Sequence, residues 1–398
     1  MPAANHPAFP FRTNDPLEPP CEYARLRAQE PVSRVTLPAG NPAWLITRHA
    51  DVKRVLGDRR FSRAAITASG APQVLPIVHG SKSLFVMDPP EHTRLRRLVS
   101  QAFTARRITA LRPRIERLTD EMLDEMAAAP QPADLITHLA EPLPIAVICE
   151  LLGVPGQDVP RFRNWTDVML NFSVTSRDAV LDARKLLSEY LEGLIEQKHS
   201  DPGEDLLTAL VRTRDDTDSL TDEELVAFGY TLLGAGYHAT TATLAHAVLL
   251  LLMEPDRFAR IHEDPRTVPV AVEELLRYSQ AGIGIGALRI ALEEVEVSGT
   301  LIRKGDAVLP SINAANRDEE VFTAAAELDC TRANNPHLTF GYGIHHCIGS
   351  QLGRVELEVA ITALATRFPT LRLASELTHV QWVQGSAFRR PTDLPMSW

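Results

Sequence analysis

A glycine-rich loop that carries one cysteine constrains this chain more than any other stretch. Residues 340–349 read FGYGIHHCIG, and residues 351–360 have the pattern of a helix that starts just beyond Cys347. Gly341 and Gly343 permit backbone conformations closed to other residues and allow a flat partner to approach closely. Because a helix N-terminus stabilises negative charge, Cys347 can be held as the thiolate, which is the form that binds metals.

Cys347 has three possible roles: core residue, zinc ligand or axial ligand of a haem. An isolated cysteine is most often a buried core residue. A zinc site needs several ligands that converge on one ion, whereas His345, His346 and Cys347 are consecutive in the sequence. A single axial thiolate under a haem fits this spacing better.

The loop resembles the haem-binding signature of the cytochrome P450 family, Phe-Gly-x-Gly-x-x-x-Cys-x-Gly. The residues that match the signature are Phe340, Gly341, Gly343, Cys347 and Gly349. The resemblance implies that Cys347 ligates the iron of haem b (iron protoporphyrin IX) and that Phe340, Gly341 and Gly349 belong to the haem site. It extends over essentially the whole chain, and it is closest in kind to the soluble, actinobacterial members that tailor natural products.

Composition and charge exclude several classes of protein. The chain has 398 residues, 44% of them hydrophobic, and a formal net charge of -10, which argues against nucleic acid as a partner. Its start lacks an apolar signal region, and the longest apolar run, residues 247–253, is too short to cross a bilayer. The cysteines are scattered and form no C-x-x-C pair, so we expect a cytoplasmic protein that is not bound to a membrane. The four are Cys21, Cys149, Cys330 and Cys347.

Four basic or imidazole side chains are candidates for binding the haem propionates. His92 and Arg96 are four residues apart in a helical segment and share one face. By itself such a pair is most often a solvated basic face, but the resemblance implies that both hold propionates. It assigns the same task to Arg289 and His345, for which an anionic carboxylate supplies an electrostatic reason.

A local basic segment predicts a redox partner. Four arginines of this segment form a positively charged patch on an otherwise acidic chain, and such a patch can bind an acidic partner protein. The resemblance implies a separate ferredoxin and ferredoxin reductase. The residues of the patch are Arg94, Arg97, Arg106 and Arg107.

The longest predicted helix covers residues 222–253 and is apolar nearly all round in its second half, as expected for a central buried helix. Gly234 and Gly236 lie in its middle, where each glycine costs about 1 kcal/mol relative to alanine. Close approach of a flat macrocycle gives a reason for them. The segment resembles the family's oxygen-binding helix, which places Ala235 and Gly236 at the haem.

The polar pair usual in that helix is altered here. Tyr237 occupies the variable position, His238 stands where an acid is expected, and Ala239 stands where a threonine is expected. The acid and the alcohol normally deliver protons to bound dioxygen. Three groups could replace them: the imidazole of His238, a polar group of the substrate, or Thr240 if the helix is locally distorted. We predict a substrate-assisted relay in which His238 is secondary.

A Glu-x-x-Arg motif is formed by Glu274 and Arg277, which are three residues apart in a helical segment. Alone it would be a common surface pair. The resemblance implies instead a structural ion pair of the haem-side core. The chain has Glu327 and Leu328 where an arginine and a phenylalanine are usual, so we expect the ion network to involve Arg332.

A run of small residues suggests a roomy substrate pocket. Residues 281–289 are predicted to form a strand, and the resemblance places this strand beside the haem. We expect Ile283, Gly284, Ala287 and Tyr237 to line the pocket.

The sequence therefore predicts a mostly α protein with small β-sheets (α+β), in which residues 1–398 form a single domain. The resemblance implies the triangular cytochrome P450 fold, with haem between the long central helix and the cysteine-ligand loop. The implied function is that of a haem-thiolate monooxygenase that uses O2 and acts on a small molecule, a secondary metabolite.

Two alternatives remain open from the sequence. One is oxidative C–C or C–N coupling of aromatic substrates such as tryptophan-containing cyclodipeptides (diketopiperazines), which the altered central helix and the small-residue run make credible. The other is a non-catalytic haem sensor, which would need no surface for a redox partner.

Overall fold

A computed structural model describes residues 6–13, 15–72, 83–170, 177–213, 218–282, 284, 287–384 and 386–398. Within these ranges the chain is mainly helical with small sheets, which confirms the predicted fold class. In chain order the helices are α1 (Glu22–Gln29), α2 (His49–Gly57), α3 (Glu91–Ala102), α4 (Ala105–Ala128), α5 (Pro142–Leu152), α6 (Val159–Leu170), α7 (Arg177–Ser200), α8 (Leu206–Val211), α9 (Asp222–Leu252), α10 (Pro255–Glu263), α11 (Val268–Tyr278), α12 (Ile312–Ala315) and α13 (Ser350–Arg367). The strands are β1 (Val32–Thr36), β2 (Pro42–Ile46), β3 (Phe61–Ser62), β4 (Ala133–Asp134), β5 (Arg289–Ala291), β6 (Val295–Val297), β7 (Thr300–Ile302), β8 (Ala307–Pro310), β9 (Arg372–Leu373) and β10 (Pro395–Ser397).

Helix α9 is the predicted central helix, and its ends agree closely with the prediction. It begins with a capping box, in which Thr221 Oγ1 accepts a hydrogen bond from the Glu224 N–H and the Glu224 carboxylate accepts one from the Thr221 N–H. By length and composition alone it could span a membrane, but most of its apolar window is buried inside the protein. The burial of α9 is therefore that of a core helix.

The chain forms two compact units. The first comprises Met1–Thr93 and Glu273–Cys347 and contains a five-stranded sheet in the order β1-β2-β8-β5-β3. Strands β2 and β8 are parallel, and the other neighbours are antiparallel. Alternating side chains of these strands, such as Val35, Leu45 and Leu309, are buried in the core of this unit.

The predicted strand over residues 281–289 is wrong for the part that the structure describes. Strand β5 begins only at Arg289. Before it, Gly284 has a left-handed backbone with φ of 80°, and the Ala287 N–H donates to the Gly284 carbonyl at 3.0 Å. A glycine in that conformation turns the chain and ends an extended run. Ile283 lies outside the described residues.

The second unit comprises Arg94–Val272 and Ile348–Trp398, in which α9 packs on α5 and α13 packs on α4. One of the two central glycines of α9 lies against a neighbouring helix, where an alanine would have to displace the end of an isoleucine side chain. A Cβ atom at Gly236 would lie 2.2 Å from Cδ1 of Ile148 on α5, whereas a Cβ atom at Gly234 would meet nothing within 4 Å. Close packing of α9 on α5 thus favours a glycine at position 236, which the sequence alone did not reveal.

A buried ion network surrounds the Glu274 carboxylate in the first unit. Arg277 donates to both carboxylate oxygens at 2.7 and 2.8 Å, and both side chains are 0% exposed. Arg332 Nε donates to the same carboxylate at 3.0 Å, as does Asn335 Nδ2. The predicted participation of Arg332 is confirmed.

The remaining donors of Arg277 are also satisfied. Its guanidinium reaches the carbonyl oxygens of Asn316, Ala325 and Glu327 at 2.8 to 2.9 Å. Glu274 and Arg277 thereby join α11 to the chain around residues 316–335. A buried charge pair of this kind strongly destabilises a fold when one partner is removed.

We expect Glu274→Gln to lower the free energy of unfolding by about 3–5 kcal/mol, because two buried guanidinium groups lose their counter-charge. The matched control is Glu254→Gln, which breaks an exposed pair of the same i,i+3 spacing with Arg257, since the Glu254 side chain is 64% exposed. That change should cost less than about 1 kcal/mol. Urea unfolding of both variants measures the difference. Equal losses in the two variants would contradict the structural role of the buried pair.

Candidate active site

The cysteine loop has the geometry that its glycines predict. Gly341 and Gly343 both have left-handed backbones, with φ of 72° and 75°. A Cβ atom at Gly343 would lie 2.9 Å from the carbonyl oxygen of Leu56, so the loop also packs closely on the end of α2. The Cys347 N–H donates to the Phe340 carbonyl at 2.8 Å, which closes the loop.

Cys347 is exposed, and α13 begins at Ser350, with Gly349 as its N-cap. The predicted helix beyond the cysteine is confirmed. Among the described residues, no group of three or more His, Cys, Asp or Glu side chains could hold a metal ion. A single cysteine ligand suits a haem, whereas a structural zinc site needs four protein ligands.

Two of the predicted propionate ligands lie side by side in the first unit. The rings of His92 and His345 have their centroids 4.3 Å apart at an interplanar angle of 55°. His92 is buried near the start of α3. Arg96 lies one turn further along the same helix and is half-buried.

Arg289 adds a buried cation to the same unit. Its Nη1 donates to the carbonyl oxygens of Ala287 and Leu288 at 3.0 and 3.1 Å. Burial lowers the pKa of Arg289 to about 9, and the charge of Asp88 only partly opposes this effect. At neutral pH the guanidinium is still charged, so the unit contains a buried positive group that an anion would stabilise.

These residues fit a haem. Imidazoles and a guanidinium in the unit that carries the cysteine loop suit the two carboxylates of the cofactor. The cysteine suits the iron. His92, His345, Arg289 and Cys347 are thus four predicted site residues that the structure places in one compact unit.

The middle of α9, in the second unit, exposes small residues. Ala235 is exposed, and Ala239 and Thr240 are half-buried, on a helix otherwise enclosed by apolar side chains. The helix is uninterrupted from Asp222 to Leu252, so the local distortion that would turn Thr240 into the place of Ala239 is not observed.

The hydroxyl groups near this point differ in their partners. Thr241 donates to the Tyr237 carbonyl at 3.1 Å, and Thr243 donates to the Ala239 carbonyl at 2.7 Å. The described residues give Thr240 no such bond within the helix. Its hydroxyl is therefore available to another partner.

His238 faces a carboxylate. Its Nε2 lies 3.4 Å from Oδ1 of Asp167 on α6, and neither atom has a hydrogen-bond partner among the described residues. Burial lowers the pKa of His238 to about 3, and the positive charges of Arg390 and Arg163 lower it further. The imidazole is therefore neutral at pH 7. It can pass a proton on only by giving up its N–H proton and accepting another.

Comparison with known proteins gives the family. The sequence profile named Cytochrome P450 matches residues 28–376. The chain belongs to the cytochrome P450 family. It is 48% identical over 392 residues to the Nocardicin C N-oxygenase of Nocardia uniformis subsp. tsuyamanensis, covering 98% of each chain. It is 43% identical over 399 residues to the Mycinamicin IV hydroxylase/epoxidase of Micromonospora griseorubida, covering 100% of each.

Solved structures agree. The mixed-function P450 MycG superposes with a TM-score of 0.94 at 44% identity, over 98% of this chain and 99% of that one. The chain is thus a P450 monooxygenase of secondary metabolism, and its family implies a haem with a thiolate ligand.

The P450 contains a partly buried charge cluster around His238 that sequence reasoning missed. The Glu141 carboxylate accepts hydrogen bonds from Arg390, at 2.6 Å, and from Arg163. Burial and the neighbouring Glu141 raise the pKa of Asp167. These side chains come from α6 and from segments far apart in the sequence, so no local pattern could have revealed the cluster.

Tyr237 is fully buried in this cluster. Its hydroxyl has no hydrogen-bond partner among the described residues, and burial together with the charges of Glu141 and Asp167 raises its pKa. Of the other predicted pocket residues, Ala287 is buried and Gly284 is half-buried in the first unit.

The basic patch of the P450 is smaller than predicted. Arg94 donates to Asp218 at 3.0 and 3.1 Å and also to Glu224, so acidic neighbours neutralise its charge. Arg106 and Arg107 are exposed at the start of α4. These two residues remain suited to an acidic partner.

Two buried histidines of α9, His238 and His246, should make the protein less stable in mild acid. Burial lowers the pKa of His238 to about 3 and that of His246 to about 4, while an unfolded histidine has a pKa of about 6.5. Below about pH 6.5 the unfolded chain therefore binds protons that the folded chain does not, so stability falls as pH falls. When the pH falls from 7 to 5, each of these histidines should lower the free energy of unfolding by about 2 kcal/mol.

We expect His238→Asn to remove about half of this pH-dependent loss, as measured by urea unfolding at pH 7 and pH 5. The control is His199→Asn, which changes an exposed histidine that pairs with Asp222 on the protein surface. An unchanged pH dependence in His238→Asn would show that this imidazole is not kept neutral by burial.

Proposed function

We propose that this P450 transfers one atom of O2 to a secondary metabolite at a haem b whose axial ligand is the Cys347 thiolate. The second oxygen atom leaves as water, with two electrons and two protons supplied from outside the substrate. Its similarity to an N-oxygenase and to a hydroxylase/epoxidase supports oxygen transfer over other reactions. When bound, the haem supplies O2 binding and reduction, and the thiolate favours O–O cleavage.

One observation carries this proposal: the cysteine loop and a buried cationic group occur in the same compact unit. His92, His345 and Arg289 supply the imidazoles and the guanidinium. We assign the propionates to these residues and to Arg96. The loop residues Phe340, Gly341 and Gly349 hold the backbone around the sulfur, and Ala235 and Gly236 of α9 are the proposed contacts on the oxygen side.

The relay of these two protons is assigned to a polar group of the substrate, with help from the protein. Ala239 has no hydroxyl, and His238 is neutral and directed at Asp167. A hydroxyl or N–H group of the substrate can hold the water that the missing threonine would hold. His238 is the secondary donor, because the undistorted helix leaves Thr240 out of the place that Ala239 occupies.

The proposed partners are a ferredoxin and its reductase, which would supply the two electrons. Arg106 and Arg107 contribute the positive charge for docking. We place the reaction in the cytoplasm and propose that Gly284, Ala287 and Tyr237 limit the space for the small-molecule substrate.

The test of the function is the mass of the product formed with a surrogate ferredoxin and reductase. The substrates offered would be macrolactones, terpenoids and aromatic cyclic dipeptides, with Cys347→Ser as the control that removes the thiolate. We expect a product that gains one oxygen, together with the absorption of a thiolate-ligated haem in its reduced carbon monoxide complex. That absorption should be lost in Cys347→Ser.

Two results would overturn the proposal. A fused product that lacks two hydrogens would identify a coupling catalyst. Haem that loads normally but accepts no electrons from any ferredoxin would favour a haem sensor.

The proton route can be tested with Ala239→Thr once a substrate is known. For an analogue without its polar group, we expect product formation by the wild type to fall about a hundredfold, which is within the range of positioned proton donors. Ala239→Thr should recover part of this loss because it restores a hydroxyl to the helix. His238→Gln should change the rate with the intact substrate less than about tenfold.

The measurement is product formed per NADPH consumed, which separates productive turnover from wasted electrons. Thr243→Val is the control, because that hydroxyl is already bonded to the Ala239 carbonyl. Equal turnover of the intact substrate and the stripped analogue by the wild type would contradict substrate assistance.

A further inference from the structure

A second arginine lies directly beside Arg289. Strands β3 and β5 are antiparallel, with Phe61 opposite Ala291 and Ser62 opposite Ile290. Arg63 follows directly after the paired residue Ser62, and Arg289 directly precedes the paired residue Ile290, so the two arginines lie at the same end of this strand pair. Like charges that are buried close together repel each other.

Both guanidinium groups are buried, since Arg63 is 2% exposed and Arg289 is 3% exposed. Arg63 Nε donates to the Phe85 carbonyl at 2.9 Å, and its guanidinium carbon lies 3.9 Å from the centroid of the Phe85 ring. Its Nη2 atom has no hydrogen-bond partner among the described residues. A buried guanidinium nitrogen without an acceptor costs more than an ordinary lost hydrogen bond.

The nearby carboxylate does not satisfy this nitrogen. Asp88 accepts hydrogen bonds from the Ser62 hydroxyl and from the backbone N–H of Arg63, at 2.9 Å for the latter. Neither arginine forms an ion pair with a carboxylate of the described residues. At this end of the strand pair two positive charges are therefore buried, against which Asp88 supplies one negative charge.

The electrostatics agree with this geometry. Burial lowers the pKa of Arg63, and the charge of Arg289 lowers it further, while Asp88 acts in the opposite direction. A guanidinium does not give up its proton in proteins, so this effect is an energetic cost to the folded chain. A bound anion would remove that cost.

We propose that Arg63 and Arg289 together bind one carboxylate, and that this carboxylate is a propionate of the haem. Arg63 thereby becomes a cofactor-positioning residue that no motif identifies. The inference rests on the haem function proposed above. A propionate is favoured over a substrate carboxylate because Arg63 lies at the same end of the β3–β5 pair as Arg289, which is itself a proposed propionate ligand in the unit that carries Cys347.

The experiment compares Arg63→Met and Arg63→Lys with wild-type holoenzyme. Methionine keeps an apolar stem against Phe85 and removes the charge, whereas lysine keeps the charge. We expect haem transfer to excess apomyoglobin to be about tenfold faster in Arg63→Met, which corresponds to the loss of a charge-assisted hydrogen bond, and less than about threefold faster in Arg63→Lys. Arg60→Met, which alters an exposed arginine paired with Asp58 on the same stretch, should release haem as the wild type does.

Resonance Raman spectroscopy of the same holoenzymes gives a second readout. The propionate bending band of the haem should shift in Arg63→Met and return towards its wild-type position in Arg63→Lys. A merely structural arginine would lower thermal stability without moving this band.

Two outcomes overturn the inference. Wild-type haem release and an unmoved propionate band in Arg63→Met would show that Arg63 does not bind the cofactor. The same result combined with weaker binding of octanoate, used as a carboxylate probe, would assign the two arginines to the substrate. If instead wild-type protein fails to bind haem through a thiolate, the proposed function itself fails, whatever the Arg63 variants do.

Discussion

Burial of positive charge without enough internal counter-charge is the constraint on which the site depends. Arg289 and Arg63 are enclosed in the first unit, and the carboxylate of Asp88 accepts from the Ser62 hydroxyl and the Arg63 backbone instead of from either guanidinium. Such an arrangement is costly in a protein interior. An anionic cofactor would neutralise these charges. The residues that destabilise the folded chain alone would then stabilise its complex with the cofactor.

The contrast with the Glu274 network shows how the chain treats buried charge elsewhere. There, Arg277 and Arg332 meet one carboxylate, and the remaining donors of Arg277 reach backbone carbonyls. The Glu274 carboxylate and all the donors of Arg277 are bonded within the unit, so this network holds the fold without a ligand. Arg277 has internal partners, as a structural residue does, whereas Arg63 and Arg289 lack a paired carboxylate, as expected for residues that bind an anion.

In the second unit, the central helix exchanges the usual polar pair for a neutral histidine and an alanine. His238 is directed at Asp167 and lies in the field of Arg163 and Arg390, so its charge state depends on residues remote in sequence. Ala239 has no hydroxyl group, and the nearby Thr243 hydroxyl donates to the Ala239 carbonyl. We propose that the substrate supplies the polar group that this helix lacks.

The sequence by itself predicted the glycine-rich cysteine loop, the helix beyond it, the long central helix and the ion pair of Glu274, because each depends on a local pattern of residues, and it named Cys347 as the candidate ligand. It failed at residues 281–289, where the left-handed backbone of Gly284 ends the expected strand. Only the tertiary structure brought Arg63 close to Arg289 and Asp167 to His238, since strand pairing and helix packing join distant parts of the chain. Burial, which sets the pKa of His238 and the unmet charge of Arg63, is likewise a property of the folded chain, because it depends on everything packed around the group.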